Sequence, residues 1–131
     1  MAEVPVESAD LMEWLKTTDA KLTFVGKPIP GINAPEGLVS RAALDTTVVY
    51  CNTSYSTGAC GGVCTVYVGG GGPLCFYAPG TNCIYASKDI NFCTGSTCEA
   101  GCEQFSACEK HLGRGFCDTP GTNSIFVGET D

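Results

Sequence analysis

The sequence predicts an α+β fold: a small disulfide-rich domain with antiparallel β-hairpins, one main helix and five disulfides. Three observations carry that prediction. Ten cysteines stand among 131 residues, a density at which cross-links supply what a thin apolar core cannot. Two β-branched and aromatic runs, "TTVVYC" and "VCTVYVGGGGPLCFYAPG", have strand composition. The stretch "GSTCEAGCEQFSACEKHLGRGFC" opens on an S-x-x-E capping box, Ser96 and Glu99. There Cys98, Cys102, Phe105 and Leu112 recur at helical spacing before Gly113, a natural terminator.

Along the chain, residues 1–44 form a cysteine-free segment, and residues 45–131 form the cross-linked core. In the first, "ESADLMEWLKTTDAK" reads as a helix capped by Ser8, and "KLTFVG" as a short strand ending at Gly26. The Pro/Gly-rich "KPIPGINAPEG" breaks regular structure. This segment is either an arm packed on the core or a pro-region, with "VSRAAL" around Arg41 as the processing site. In the core, "TTVVYC" is a strand. The two runs flanking Gly69–Gly72 are expected to close a hairpin over residues 63–77. Residues 97–112 supply the helix, whose cysteines would tie it to the strands.

One four-residue phrase occurs twice, "PGTN" at Pro79 and again at Pro120. The pairs Cys60/Cys64 and Cys98/Cys102 are both C-x₃-C. Split on this echo, each half holds five cysteines, so complete pairing requires at least one bridge between halves. A structural duplication is nonetheless disfavoured, because the first C-x₃-C lies in a glycine-rich turn and the second in the expected helix. Pro-Gly is turn chemistry, and each copy is expected as a corner aiming Cys75, Cys83 or Cys117 at its partner.

Function classes narrow by exclusion. A net charge of −7 gives no basic face for nucleic acid, and no apolar run reaches the roughly 20 residues of a membrane span. The glycine run at 69–72 lacks the Lys-Ser/Thr of a phosphate loop. Zinc is disfavoured because a single histidine stands among ten cysteines that belong to an oxidising compartment. No cofactor and no metal are expected. Ten paired cysteines (Cys51, Cys60, Cys64, Cys75, Cys83, Cys93, Cys98, Cys102, Cys108 and Cys117) and the sequon at Asn52 point to a secreted, extracellular protein.

No residue is assigned a catalytic role. Glu109, His111 and Arg114 contain the base, acid and phosphate-clamp types of a small acidic ribonuclease, but Glu109 and His111 diverge on a helix. Glu99 and Glu103 at i,i+4 suit a helix N-terminus better than a glycosidase cleft, and nothing brings Asp89 or Asp118 together with another acid. The better candidates are tyrosines: Tyr55, Tyr67, Tyr77 and Tyr85 lie on or beside strands, where outward-facing rings form platforms for a protein receptor or a glycan.

The blocks "VVYC", "CGGVCTVY", "CFYAPGTNC", "NFC", "GCEQFSAC" and "GFCDTPGTNSI", in this order, resemble small secreted cysteine-rich proteins of mushroom-forming (basidiomycete) fungi. The likeness covers about residues 48–125, and the leader with its "DLMEWL" helix is similar in kind. It implies an effector-like or immunomodulatory role and carries over no catalytic residues. The expected function is therefore non-enzymatic recognition of host or immune-cell receptors or cell-wall glycans. The alternatives are a ribonuclease-like hydrolase and a structural cell-wall or matrix protein.

Overall fold

A computed structural model of the chain describes residues 13–18, 20–26, 46–69, 74–87, 89–112 and 115–127. Within them seven strands form one mixed sheet: β1 (Lys21–Gly26), β2 (Thr46–Ser54), β3 (Cys60–Gly69), β4 (Leu74–Ala86), β5 (Asn91–Cys93), β6 (Cys102–Gln104) and β7 (Cys117–Val127). Their order across the sheet is β1-β3-β2-β4-β7-β5-β6. Only β1 pairs in parallel, on the edge of β3. All ten cysteines are bridged, as Cys51–Cys64, Cys60–Cys83, Cys75–Cys98, Cys93–Cys102 and Cys108–Cys117.

The fold is therefore mostly β and not α+β, and the main helix at 97–112 does not exist. Its C-terminal part is β6, a 3-10 turn at Phe105–Ala107 and loop. The reason lies in the backbone. Cys98 has φ of 63° and Gly101 of 66°, left-handed values that an α-helix cannot contain. The i,i+4 cysteines also part company, Cys98 to Cys75 on β4 and Cys102 to Cys93 on β5. The described helix is short, at residues 13–17, inside the N-terminal helix that the sequence predicts. Thr18 and Ala20 of that stretch are not helical and Lys21 already opens β1; its residues 7–12, the Pro/Gly loop and Arg41 lie outside the described residues.

The 63–77 hairpin is also replaced. β2 lies between β3 and β4, pairing antiparallel with both. Val48 and Val49 of β2 are fully buried, so this run occupies the centre of its half of the sheet and takes a neighbour on each side. The hairpins that form are β2–β3 and β5–β6.

The strand order reads alike from either end of its last six members: β3-β2-β4 on one side, β6-β5-β7 on the other, with β4 and β7 paired at the middle. The registers agree. Cys51 lies opposite Cys64 on β3 and Cys83 on β4; Cys93 lies opposite Cys102 on β6 and Ser124 on β7. Tyr50 and Ile84 pair as Phe92 and Ile125 do. From residue 78 to 86 and from 119 to 127 the burial pattern agrees at eight of nine positions. The chain is an internal duplication, and the two copies of PGTN face each other, Thr81 opposite Thr122.

The PGTN copies are not corners between strands. Each lies inside a long strand, where the β4–β7 register shifts, so they are bulges. Gly80 and Gly121 take φ of 75° and 86°, available without strain only to glycine. Each threonine hydroxyl is buried and donates to the carbonyl three residues back, Thr81 to Ala78 and Thr122 to Thr119. Each asparagine reaches the neighbouring strand's end: Asn82 Nδ2 donates to the Asn52 carbonyl, Asn123 Nδ2 to the Thr94 carbonyl.

Apolar side chains cover both faces of the sheet. One cluster joins Val49, Val66, Val68, Tyr85 and Phe116 to the Cys51–Cys64 and Cys60–Cys83 bridges. Trp14 and Leu15 bury against it, and Leu22 and Phe24 of β1 pack on it. The opposite face carries Val48, Ile84, Ile90, Phe92, Ile125 and Val127.

Candidate functional site

The duplication builds two grooves. In the first half, the outward side chains of β2, β3 and β4 enclose about 280 Å³ between Tyr50, Asn52, Thr65, Tyr77, Pro79 and Thr81. In the second, β5, β6 and β7 enclose about 350 Å³ between Phe92, Thr94, Glu103, Asp118, Pro120 and Thr122. Taken in order, these are equivalent positions of the two repeats. Tyr50 and Phe92 pack on the same apolar cluster, which puts both grooves on one face of the sheet.

The first groove is uncharged and aromatic. Tyr77 is 69% exposed, and Val63 beside it is also exposed. Asn52 is fixed by the bulge in β2: its Oδ1 accepts from the Val63 amide at 3.0 Å and the Thr53 hydroxyl at 2.9 Å. Its Nδ2 protons are the donors left for a ligand. Tyr50, partly buried, stacks toward Phe76 at 6.3 Å, and Tyr67 meets the same ring edge-on at 4.6 Å, so the wall behind the groove is rigid.

The four tyrosines singled out by sequence are thus separated. Tyr77 lines the first groove and Tyr67 supports it from behind. Tyr55 is exposed but lies beside Gly61, away from the groove lining. Tyr85 is 2% exposed and packs on Phe116, so it presents no surface to a partner. Sequence reasoning missed Tyr50, because strand alternation without the bulge at Asn52 does not reveal which side of β2 opens.

The second groove is charged. Glu103, Glu109, Lys110 and Asp118 line it, with Lys110 Nζ 3.5 Å from Asp118 Oδ2. Asp118 Oδ1 and the Thr119 hydroxyl are buried without a hydrogen-bond partner. Of the residues weighed for hydrolysis, Glu109 belongs to this groove, whereas His111 is exposed, bridging Cys117 through its backbone. Arg114 lies outside the described residues. Glu99 is on an exposed loop, and Asp89 accepts from the amide and hydroxyl of Ser106, holding the 3-10 turn.

The sulfurs of Cys51, Cys60 and Cys83 converge within 4.8 Å in the core. All three are oxidised, and a disulfide sulfur has no thiolate to offer a metal; the cluster is two bridges packed together. Among the described residues no helix is long and apolar enough to cross a membrane. Comparison with protein-family models, curated proteins and solved structures finds no match to this chain.

Proposed function

We propose that the protein is a secreted, non-enzymatic recognition protein whose first groove binds a glycan of the cell-wall type. The observation that carries this reading is Tyr77, a ring 69% exposed over an open groove that also offers the Asn52 amide and the Thr65 hydroxyl. An exposed aromatic ring covers the apolar C–H face of a sugar, and a few polar groups beside it fix the hydroxyls. The multiple disulfides agree with an extracellular setting. The resemblance to small secreted proteins of mushroom-forming fungi supports the same class of role, effector-like or immunomodulatory.

A glycan array probed with the oxidised protein tests this reading. Binding to neutral β-linked oligosaccharides is expected, with loss of about tenfold or more in Tyr77→Ala, since stacking and apolar burial of one ring contribute that much. Failure to bind any glycan, with capture of a protein receptor instead, would replace glycan by protein recognition. Release of reducing ends, or RNA cleavage lost in His111→Ala, would replace recognition by hydrolysis. Asn52 is exposed and lines the groove, so a glycan attached at its sequon would occupy the same space. Enzymatic deglycosylation is therefore expected to raise binding.

A further inference from the structure

We infer that the second groove is a separate subsite for a positively charged amino sugar. For the class of ligand the inference rests on the glycan reading of the first groove; the charge is read from the second groove itself. The two grooves share their scaffold, Pro79 with Pro120 and Thr81 with Thr122, so they offer a ligand the same open, strand-walled shape. The side chains on that scaffold have diverged in one direction. Thr65 is replaced by Glu103, Tyr77 by Asp118 and Ala78 by Thr119. Among the described residues of the lining, Glu109 adds a third carboxylate against one cation, Lys110.

The divergence goes beyond a solvated acidic patch. Thr119 is 3% exposed, lines the groove and carries a hydroxyl with no hydrogen-bond partner. Buried polar groups are nearly always satisfied; among the described residues Thr46 Oγ1 is an unsatisfied one outside the groove, while Thr119 Oγ1 and Asp118 Oδ1 both belong to groove residues. A ligand bearing an ammonium and hydroxyls on one ring suits this set: carboxylates for the ammonium, a threonine hydroxyl beside them. Lys110 holds Asp118 in the free protein and is 75% exposed, so an incoming ammonium would displace it into solvent.

The test is calorimetric titration of the oxidised, full-length chain with glucosamine oligomers, with their N-acetylated counterparts and with oligolysine. Glucosamine oligomers are expected to bind with an affinity that falls with added salt, is about tenfold weaker in Glu103→Gln and is stronger in Lys110→Ala. N-acetylated oligomers, which lack the charge, report on the first groove alone: if they fail while glucosamine oligomers bind as described, the earlier glycan reading falls and the charged subsite stands. Absence of glucosamine binding, or binding indifferent to both Glu103→Gln and Lys110→Ala, overturns the inference. Tighter binding of oligolysine than of the amino sugars overturns it too, by making this a site for a basic peptide.

Discussion

Thr81 and Thr122 do the same work at equivalent places, and their energetics should match. Each buried hydroxyl is bonded to the carbonyl three residues earlier, at 2.9 and 2.8 Å. Thr81→Val and Thr122→Val are each expected to cost about 1 kcal/mol in denaturant titrations, the net worth of one such bond. Gly80 and Gly121 separate backbone strain from sterics, because nothing lies within 4 Å of a Cβ placed at either. Alanine there should cost about 1–2 kcal/mol from the left-handed backbone alone, and equally at both. Tyr77→Ala should leave stability within about 0.5 kcal/mol of the parent, as an exposed side chain does, so that its effect on binding is read cleanly. The sequence singled out four tyrosines, of which Tyr77 lines the first groove. Which residues share a groove was not legible there, because the bulges at Asn52 and at the two PGTN copies shift register and reassign faces, and a period-two reading cannot see a bulge.

Among the elements, the bridges show how the repeats diverged. In the first half Cys60 is bonded to Cys83; at the equivalent positions in the second, the Cys98 amide donates to Ser124 Oγ at 2.9 Å. With serine in place of a second cysteine, Cys98 is free to cross to Cys75, the one bridge between halves that an odd count of five demands. The double variant Cys75→Ala/Ser124→Cys should therefore fold with Cys98 bridged to position 124, as peptide mapping would show. Free thiols at 98 and 124 would mean that the repeats are not equivalent there. Cys60–Cys83 and Cys75–Cys98 close loops of the same sequence separation, 23. Replacing the less buried pair at 75 and 98 by alanine should cost about 3 kcal/mol by loop entropy, and replacing the buried pair at 60 and 83 more, through the cavity left behind. The helix expected at 97–112 fails here as well. Cys98, Cys102 and Phe105 have helical spacing, yet their counterparts Cys60, Cys64 and Tyr67 at the same spacing lie along one strand, β3, so three positions over so short a run do not tell the two patterns apart.

At the scale of the molecule, the duplication joins the parts: a pseudo-symmetric sheet, extended at one edge by β1 and covered on one face by Trp14 and Leu15, with the two grooves on the other. The compartment reading makes a simple demand, that the native protein has no reactive thiol before reduction and ten after. The echo of PGTN was the visible sign of the duplication, but four shared residues and a shared cysteine spacing were too little to reveal it. Most equivalent positions, such as Val49 with Asn91 or Thr65 with Glu103, preserve geometry and not residue type. The central claim is that the grooved face is where this protein meets its ligand. Backbone amide shifts of the isotope-labelled, oxidised protein, followed during titration with neutral β-linked oligosaccharides, test that most directly. The account predicts perturbations confined to Tyr50, Asn52, Thr65 and Tyr77 and their strand neighbours. Perturbations on β1 and the Trp14 face, or none at all, would contradict it.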